Sequence, residues 1–493
     1  MKKKAVIIGC GFSGLSAASF MVRAGWDVTV LEKNSTPGGR ARQLKEEGFS
    51  FDMGPSWYWM PDVFERFFAA FGKNVQDYYQ LKRLDPSYRV FWNVGWNDIP
   101  AGVAELKKLF ESWEPGAGKK LDAFLKEASA KYRIGMQQLV YKPGLSFSEY
   151  ANAGVLKGML QMDLFTSMRK HVGRYFRHPR IRQLLEFPVL FLGALPENTP
   201  ALYSLMNYAD MEGGTWYPHG GMYSVVKGMY DLATELGVQF RFSEEVTGFE
   251  FSSNRITDVI TTGDTYRAQS VIGSADYHFI EQKLLPDELK TYSTSYWDKR
   301  EMAPSCLLYF IGINKKLSDV RHHNLFFDTS FEKHGNEIYK AKSWPAEPLF
   351  YVSVNSVSDD TVAPAGCENL FFLIPVAAGL SDDTEELRNK YFDMILRRFE
   401  KLTGESIRDN IVYRKSFAYT DFVNEYHSFK GNAYGLANTL MQTAVLKPVC
   451  RSSKISNLFY TGQLTVPGPG VPPSLISGEV VAGVANKNKN VLV

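Results

Sequence analysis

The sequence predicts an α/β fold in which one nucleotide-binding domain is assembled from separated stretches of chain, and three observations predict it. An apolar run, Ala5-Val6-Ile7-Ile8, leads straight into the turn Gly9-Cys10-Gly11-Phe12-Ser13-Gly14. An amphipathic helical pattern from Met222 to Leu236 is followed by short strand-like runs that end at Ser274-Ala275-Asp276. At the far end, Leu458-Phe459-Tyr460-Thr461-Gly462 passes through the loop Pro467-Gly468-Pro469-Gly470-Val471-Pro472-Pro473 into a small-residue helix, Ser474 to Ala485.

The first of these describes a dinucleotide clamp. Gly9 permits the tight turn, Gly11 lets the backbone approach a pyrophosphate, and Gly14 lets the helix Ser13 to Ala24 pack on the strand with its N-terminus toward the phosphates. A second strand, Val28-Thr29-Val30-Leu31, closes on Glu32, whose carboxylate would accept a ribose 2′-hydroxyl and repel a 2′-phosphate. Pro37-Gly38-Gly39-Arg40 follows within a turn: paired glycines expose backbone N–H groups to an anion, and a fixed Arg stabilises negative charge. Then comes Gly48-Phe49-Ser50-Phe51-Asp52-Met53-Gly54-Pro55.

The second and third stretches complete this domain. Val238 to Phe242, Val246 to Phe251, Ile256 to Thr261 and Ser270 to Gly273 read as strands that finish the nucleotide sheet. The closing loop and helix present backbone donors and a positive dipole end to a cofactor edge that becomes anionic on reduction.

Composition sets the outer limits. A chain of 493 residues with 45% hydrophobic content buries a sizeable core and suggests two or three domains, and a net charge of +3 is too small to imply nucleic acid. The four cysteines, Cys10, Cys306, Cys367 and Cys450, show no CxxC pair or metal-ligand spacing, which fits a reducing compartment. Met1-Lys2-Lys3-Lys4 precedes too short an apolar run for a leader peptide and reads as the entry to the first strand. No run approaches the roughly 18 apolar residues of a spanning helix; the longest, Leu370 to Leu380, is broken by Pro375 and reads as a buried strand.

Taken together, Gly9 to Gly14, Glu32, Gly38-Gly39-Arg40, Phe51 to Pro55, Tyr217 to Met222, Ser274-Ala275-Asp276 and the Gly462 to Gly478 segment resemble the flavin amine oxidase superfamily and, within it, the bacterial phytoene desaturases. The likeness runs from end to end. It implies a discontinuous, Rossmann-like FAD domain of the glutathione-reductase type formed by residues 1–72, 216–290 and 441–493. A helical, membrane-facing region would occupy 73–215, and a mixed-sheet substrate domain 291–440. The implied FAD-binding set is Gly9, Gly11, Phe12, Ser13, Gly14, Glu32, Lys33, Gly38, Gly39, Arg40, Gly54, Pro55, Ser56, Val246, Asp276, Gly462, Gln463, Gly470, Val471 and Pro472. Arg40 and Asp52 are the candidates at the reacting centre, with Glu479 as a further organiser, and no metal is called for. The implied activity is stepwise desaturation of an acyclic C40 polyene, phytoene or a later hydroxylated intermediate, with electrons passing to a quinone or to oxygen. The implied setting is cytoplasmic and peripheral to a membrane.

Three departures leave the substrate open: His219 stands where an Arg often precedes the glycine pair, Gln463 where a small or acidic residue is usual, and Pro472-Pro473 where Pro-Gly is usual. An amine or porphyrinogen oxidase shares the flavin frame, and a prenyl-lipid carrier resembling Rab GDP-dissociation inhibitor shares the fold without redox chemistry. Two stretches fit a greasy substrate. Pro61 to Gly72 sets Phe64, Phe67, Phe68 and Phe71 on one helical stripe. Leu156 to Phe176 carries Leu156, Met159, Leu160, Leu164, Phe165 and Met168 into a basic cluster of Arg169, Lys170, Arg174, Arg177, Arg180 and Arg182, which suits a helix lying on anionic lipid as well as it suits a solvated face.

Overall fold

Two sheets organise the chain. A computed structural model describes residues 2–150, 163, 166–190 and 193–487; Leu156, Met159, Leu160, Leu164 and Phe165 of the expected interfacial stretch lie outside them. The first sheet is five-stranded and parallel, in the order Leu458–Tyr460, Ser270–Gly273, Lys4–Ile8, Asp27–Glu32, Gln239–Phe242. Its strands come from the three separated stretches named above, and all but the edge strand Gln239–Phe242 are mostly buried, as strands covered on both faces are.

On one face lie the helices Phe12–Arg23 and Val471–Lys487. They pack backbone to backbone, since a Cβ on Gly478 would stand 2.4 Å from the carbonyl oxygen of Ser13. This close approach is why the closing helix is built from small residues. The other face is covered by a three-stranded antiparallel sheet, Val246–Ser252, Arg255–Thr261 and Thr265–Arg267. The first two of these were expected in the nucleotide sheet. They stand apart because their apolar residues alternate: Val246, Phe249, Ile256 and Val259 are buried against Val6, Ile8 and Val271 while the residues between them meet solvent.

The aromatic stripe serves as core. Phe64, Phe67 and Phe68 of the helix Pro61–Ala69 are buried in the same cluster as Phe20, with Phe20 to Phe67 and Phe20 to Phe71 centroid distances of 6.0 and 5.1 Å. The second sheet is seven-stranded and mixed, in the order Ile411–Phe417, Ser305–Ile313, Glu368–Val376, Phe350–Ser353, His323–Phe327, Tyr88–Trp92, Trp96–Ile99. The last two strands fall in the stretch expected to be helical. The fully buried run Tyr88-Arg89-Val90-Phe91-Trp92 pairs in parallel with His323–Phe327, and Arg89 is carried inside because Asp98 accepts from its Nε at 2.6 Å. The expected strand around Pro375 is Glu368–Val376. One face of this sheet holds the helix Glu385–Thr403; the other meets Phe49, Phe51 and the helical region. Among the described residues no helix is long and apolar enough to cross a membrane.

Candidate functional site

A cavity of about 690 Å³ opens at the carboxyl ends of the parallel strands and continues to the face of the mixed sheet. Its nucleotide end is built by the first turn. Gly9 sits at φ +102°, and any Cβ there would meet the backbone N of Ala275 at 2.9 Å, so the position admits only glycine. Gly11 is different: a Cβ would find nothing nearer than the Gly38 carbonyl oxygen at 4.0 Å, so this backbone faces open cavity. Gly14 does not reach the wall. Its Cβ would stand 2.1 Å from the carbonyl oxygen of Gly9, and it holds the first helix on the turn.

Glu32 ends its strand at the cavity edge and is 5% exposed. Its carboxylate accepts from the backbone N–H of Cys10 at 2.8 Å, the backbone N–H of Asn34 at 2.9 Å and the Asn34 amide at 2.8 Å. Three donors fix this carboxylate at the cavity wall. The Cys10 thiol is inert beside it, its pKa raised by burial and by the Glu32 charge. Phe12, Ser13 and Lys33 also line the wall, with Ser13 hydrogen-bonded to Ser274 at 2.7 Å.

Arg40 lines the cavity after Gly38 and Gly39. One terminal nitrogen donates to Ser428 Oγ at 2.5 Å and to the Asn432 carbonyl at 3.3 Å, while Nε is buried without a partner. Burial works against its charge and the Asp276 carboxylate supports it. Asp276, pushed up to about 6 by burial, accepts from the backbone N–H groups of Phe279 and Phe429 and caps the helix Tyr277–Lys283. Gly54, Pro55, Val246 and Asp276 all contribute to the wall.

The closing segment supplies Gly462, Gln463, Gly470, Val471 and Pro472. Its helix begins at Val471, earlier than the expected Ser474, because Pro472 and Pro473 occupy the first turn, where a missing N–H costs no hydrogen bond. The Gln463 amide donates to Asn432 at 2.9 Å, so this departure holds the loop that also receives Arg40.

Two expected residues stand behind the wall. Ser56 Oγ accepts from the Tyr351 hydroxyl at 3.0 Å. Asp52 accepts from the backbone N–H of Met222 at 2.8 Å and of Tyr223 at 3.1 Å, anchoring the start of the helix Tyr223–Glu235. Burial pushes this carboxyl up to about 6, and it stands behind the cavity wall without lining it. Glu479 is likewise elsewhere, paired with Arg66 at 3.0 Å, and His219 is exposed 3.5 Å from Asp359.

The apolar arm of the cavity escaped the sequence reading. Trp57 and Trp59 form one side, with Trp57 stacked on His323 at 4.2 Å. Cys306 and Leu308 share a face of their strand, and Leu308 lies opposite Leu373 in the register. Only the period of two along paired strands could have signalled them, and that needs the pairing itself. Burial raises the pKa of Tyr203, Cys306 and Tyr434, which keeps these lining groups neutral. Met136 and Phe147 line the other approach, where Phe147 is 73% and Met441 74% exposed. Half of the basic cluster is committed elsewhere: Arg169 pairs with Glu197 at 3.1 Å, Arg182 with Glu186 at 3.9 Å, and Arg180 donates to the Val94 carbonyl at 2.9 Å.

Comparison with known proteins gives these features a context. The family model of flavin containing amine oxidoreductases matches residues 12–485. A carotenoid 3,4-desaturase of Haloarcula japonica is 42% identical over 480 residues, covering 97% of this chain and 96% of that protein. A zeta-carotene-forming phytoene desaturase of Myxococcus xanthus is 30% identical over 97% of this chain and 93% of its own. The crystal structure of an oxidoreductase from Methanosarcina mazei superposes with a TM-score of 0.64 at 16% identity, covering 98% of this chain and 100% of that one, a likeness of fold. The open backbone at Gly11, the held carboxylate of Glu32 and the unpartnered Nε of Arg40 suit a dinucleotide, and this chain, an FAD-dependent oxidoreductase, belongs to the flavin containing amine oxidoreductase family, among its carotenoid desaturases.

Proposed function

We propose that the protein desaturates an acyclic carotenoid end. One observation carries the reading: a single cavity joins a dinucleotide clamp at Gly11 and Glu32 to an uncharged apolar arm walled by Trp57, Leu308 and Leu373. When bound, FAD supplies the hydride acceptor that a hydrocarbon without an acidic proton requires.

The chain supplies the rest. Gly9 and Gly11 would admit the pyrophosphate to the helix N-terminus, Glu32 would accept the ribose hydroxyls, and Gly38, Gly39 and Arg40 would meet negative charge. Gly470 and Val471 would turn the positive end of the closing helix toward negative charge on the cofactor. Trp57, Leu308, Leu373 and Tyr434 hold one C–H bond in place and keep water from the cationic polyene. A quinone or oxygen takes the electrons.

A membrane delivers the substrate. Leu145, Phe147, Met441 and Leu446 are large apolar side chains exposed beside the cavity-lining residues Phe147, Ala444 and Val445. We assign lipid docking to this rim in preference to the basic cluster, whose Arg169, Arg180 and Arg182 are engaged within the fold. Incubation of the FAD-replete protein with acyclic carotenes in liposomes and a quinone should shift the carotenoid bands to longer wavelength as conjugation grows. If phytoene, partly desaturated carotenes and 1-hydroxylated acyclic carotenoids all emerge unchanged, the reading is wrong.

A further inference from the structure

Lys447 is 3% exposed. Its Nζ donates to Asn438 Oδ1 at 2.9 Å, and burial is the one cause that lowers its pKa, to about 7; no carboxylate among the described residues pairs with it. The loop Pro467-Gly468-Pro469-Gly470 closes over this amine. A Cβ on Gly468 would stand 3.2 Å from Nζ and 3.1 Å from Asn438 Oδ1, so the glycine is what lets amine and amide come up against the loop. Gly468 and Asn438 both line the cavity, which places the amine one residue behind its wall.

A methionine would fill such a site without the desolvation cost of a buried amine. The titratable groups on the neighbouring segments do not compensate it. Tyr203 and Cys450 are both pushed up to about 12 by burial, and Glu149 is held by the backbone N–H groups of Gly144 and Leu145, both at 2.9 Å.

We propose that Lys447 is a positioning residue of the redox reaction, whose amine takes up a proton when the cofactor in this cavity is reduced and so neutralises the negative charge that arises behind the Gly468 loop. The inference rests on the reading of this loop as part of the FAD cradle. In the balanced step the substrate C–H bond breaks and its electron pair and hydrogen pass to the cofactor, which gains one negative charge. The substrate then sheds a proton from the adjacent carbon. Lys447 binds one proton from solvent, and oxidation of the cofactor by the acceptor releases it. In a low-dielectric interior two opposite charges attract far more strongly than in water, so above about pH 7 the amine, mostly neutral before reduction, is held charged after it.

The test is the pH dependence of the FAD midpoint potential in the purified full-length protein, titrated with redox dyes and no carotenoid. One extra proton per two electrons steepens the potential by about 30 mV per pH unit. The parent should show this steeper segment from about pH 7 upward. Lys447→Met should lose it and show a lower potential at and below neutral pH at unchanged FAD content. Asn438→Asp, which gives the amine a permanent counter-ion, should lose the segment while keeping the lysine, and decides the matter even if the Met variant does not fold. An FAD-replete parent without the extra slope, or an Asp variant that retains it, overturns the role of Lys447 alone. A parent that retains no FAD overturns the cradle reading with it.

Discussion

Gly11 and Gly14 differ in what a side chain would meet, and that difference separates folding from cofactor binding. At Gly11 an added Cβ points into open cavity, whereas at Gly14 it strikes the Gly9 carbonyl oxygen. Gly11→Val should therefore purify folded, with a thermal midpoint close to the parent, and without FAD; Gly14→Val should not fold. A Gly11→Val protein with full flavin occupancy would assign the pyrophosphate elsewhere. Glu32→Ala has a mixed cost, since it removes the ribose acceptor and also leaves the buried Cys10 N–H without its partner. A loss of about 1.5–3 kcal/mol in FAD affinity, read by flavin titration, follows from removing a charged acceptor. Asp210 offers a test unrelated to the cofactor. It is buried between the Tyr88 hydroxyl at 2.8 Å and Thr215 Oγ1 at 3.1 Å, and burial pushes it up to about 7. The folded chain then holds this proton more tightly than the unfolded one, so its contribution to stability grows as pH falls from about 7 and is complete below an ordinary Asp pKa of about 4. Denaturant titrations should find Asp210→Asn gaining on the parent as pH rises from 5 to 8; an equal difference at both pH values would mean that Asp210 titrates normally.

Among the elements, those with strong local signals were legible in the sequence. The strand, glycine turn and helix at Ala5 to Ala24 and the loop and helix after Pro467 each carry their cause in adjacent residues, and the structure moves their ends by a few positions. The aromatic stripe of Pro61 to Gly72 shows the limit of periodicity: it establishes that a helix face is buried, and only the fold shows that Phe20 and Tyr58 cover it. Charge patterning is legible only in part: Arg182 pairs with Glu186 at the i,i+4 spacing of a helix, whereas the partner of Arg169, Glu197, lies in another segment that no spacing rule identifies. The rim of exposed apolar residues is a better candidate for the membrane. Replacing Phe147 and Met441 together by Ser should lower sedimentation with anionic vesicles several-fold while FAD content stays at the parental level. Reversing charge at Lys170 and Arg174 should have the smaller effect; the opposite ranking would return docking to the basic helix.

At the scale of the whole molecule, the proposed function depends on two sheets meeting at one cavity, and this is where the sequence was least informative. Gly9 and Gly14 stand out because the backbone there admits no side chain, while the apolar arm is made by ordinary residues whose facing is decided by the pairing of Ser305–Ile313 with Glu368–Val376. Trp57 enters from yet another segment and is fixed by stacking on His323. The chemistry needs both ends at once, so it should be possible to close one without disturbing the other. Leu373 is 5% exposed and lines the arm, opposite Leu308 in the register. In Leu373→Trp the extra ring volume would enter the cavity in place of packed core, where added bulk typically costs about 1–3 kcal/mol. The expected protein keeps its flavin spectrum and its response to a chemical reductant, and loses at least tenfold in kcat/KM toward a long acyclic carotenoid, with a smaller loss toward a truncated one. Loss of FAD together with activity would mean that the arm is part of the flavin seat, and unchanged turnover would mean that the polyene takes another route into the cavity.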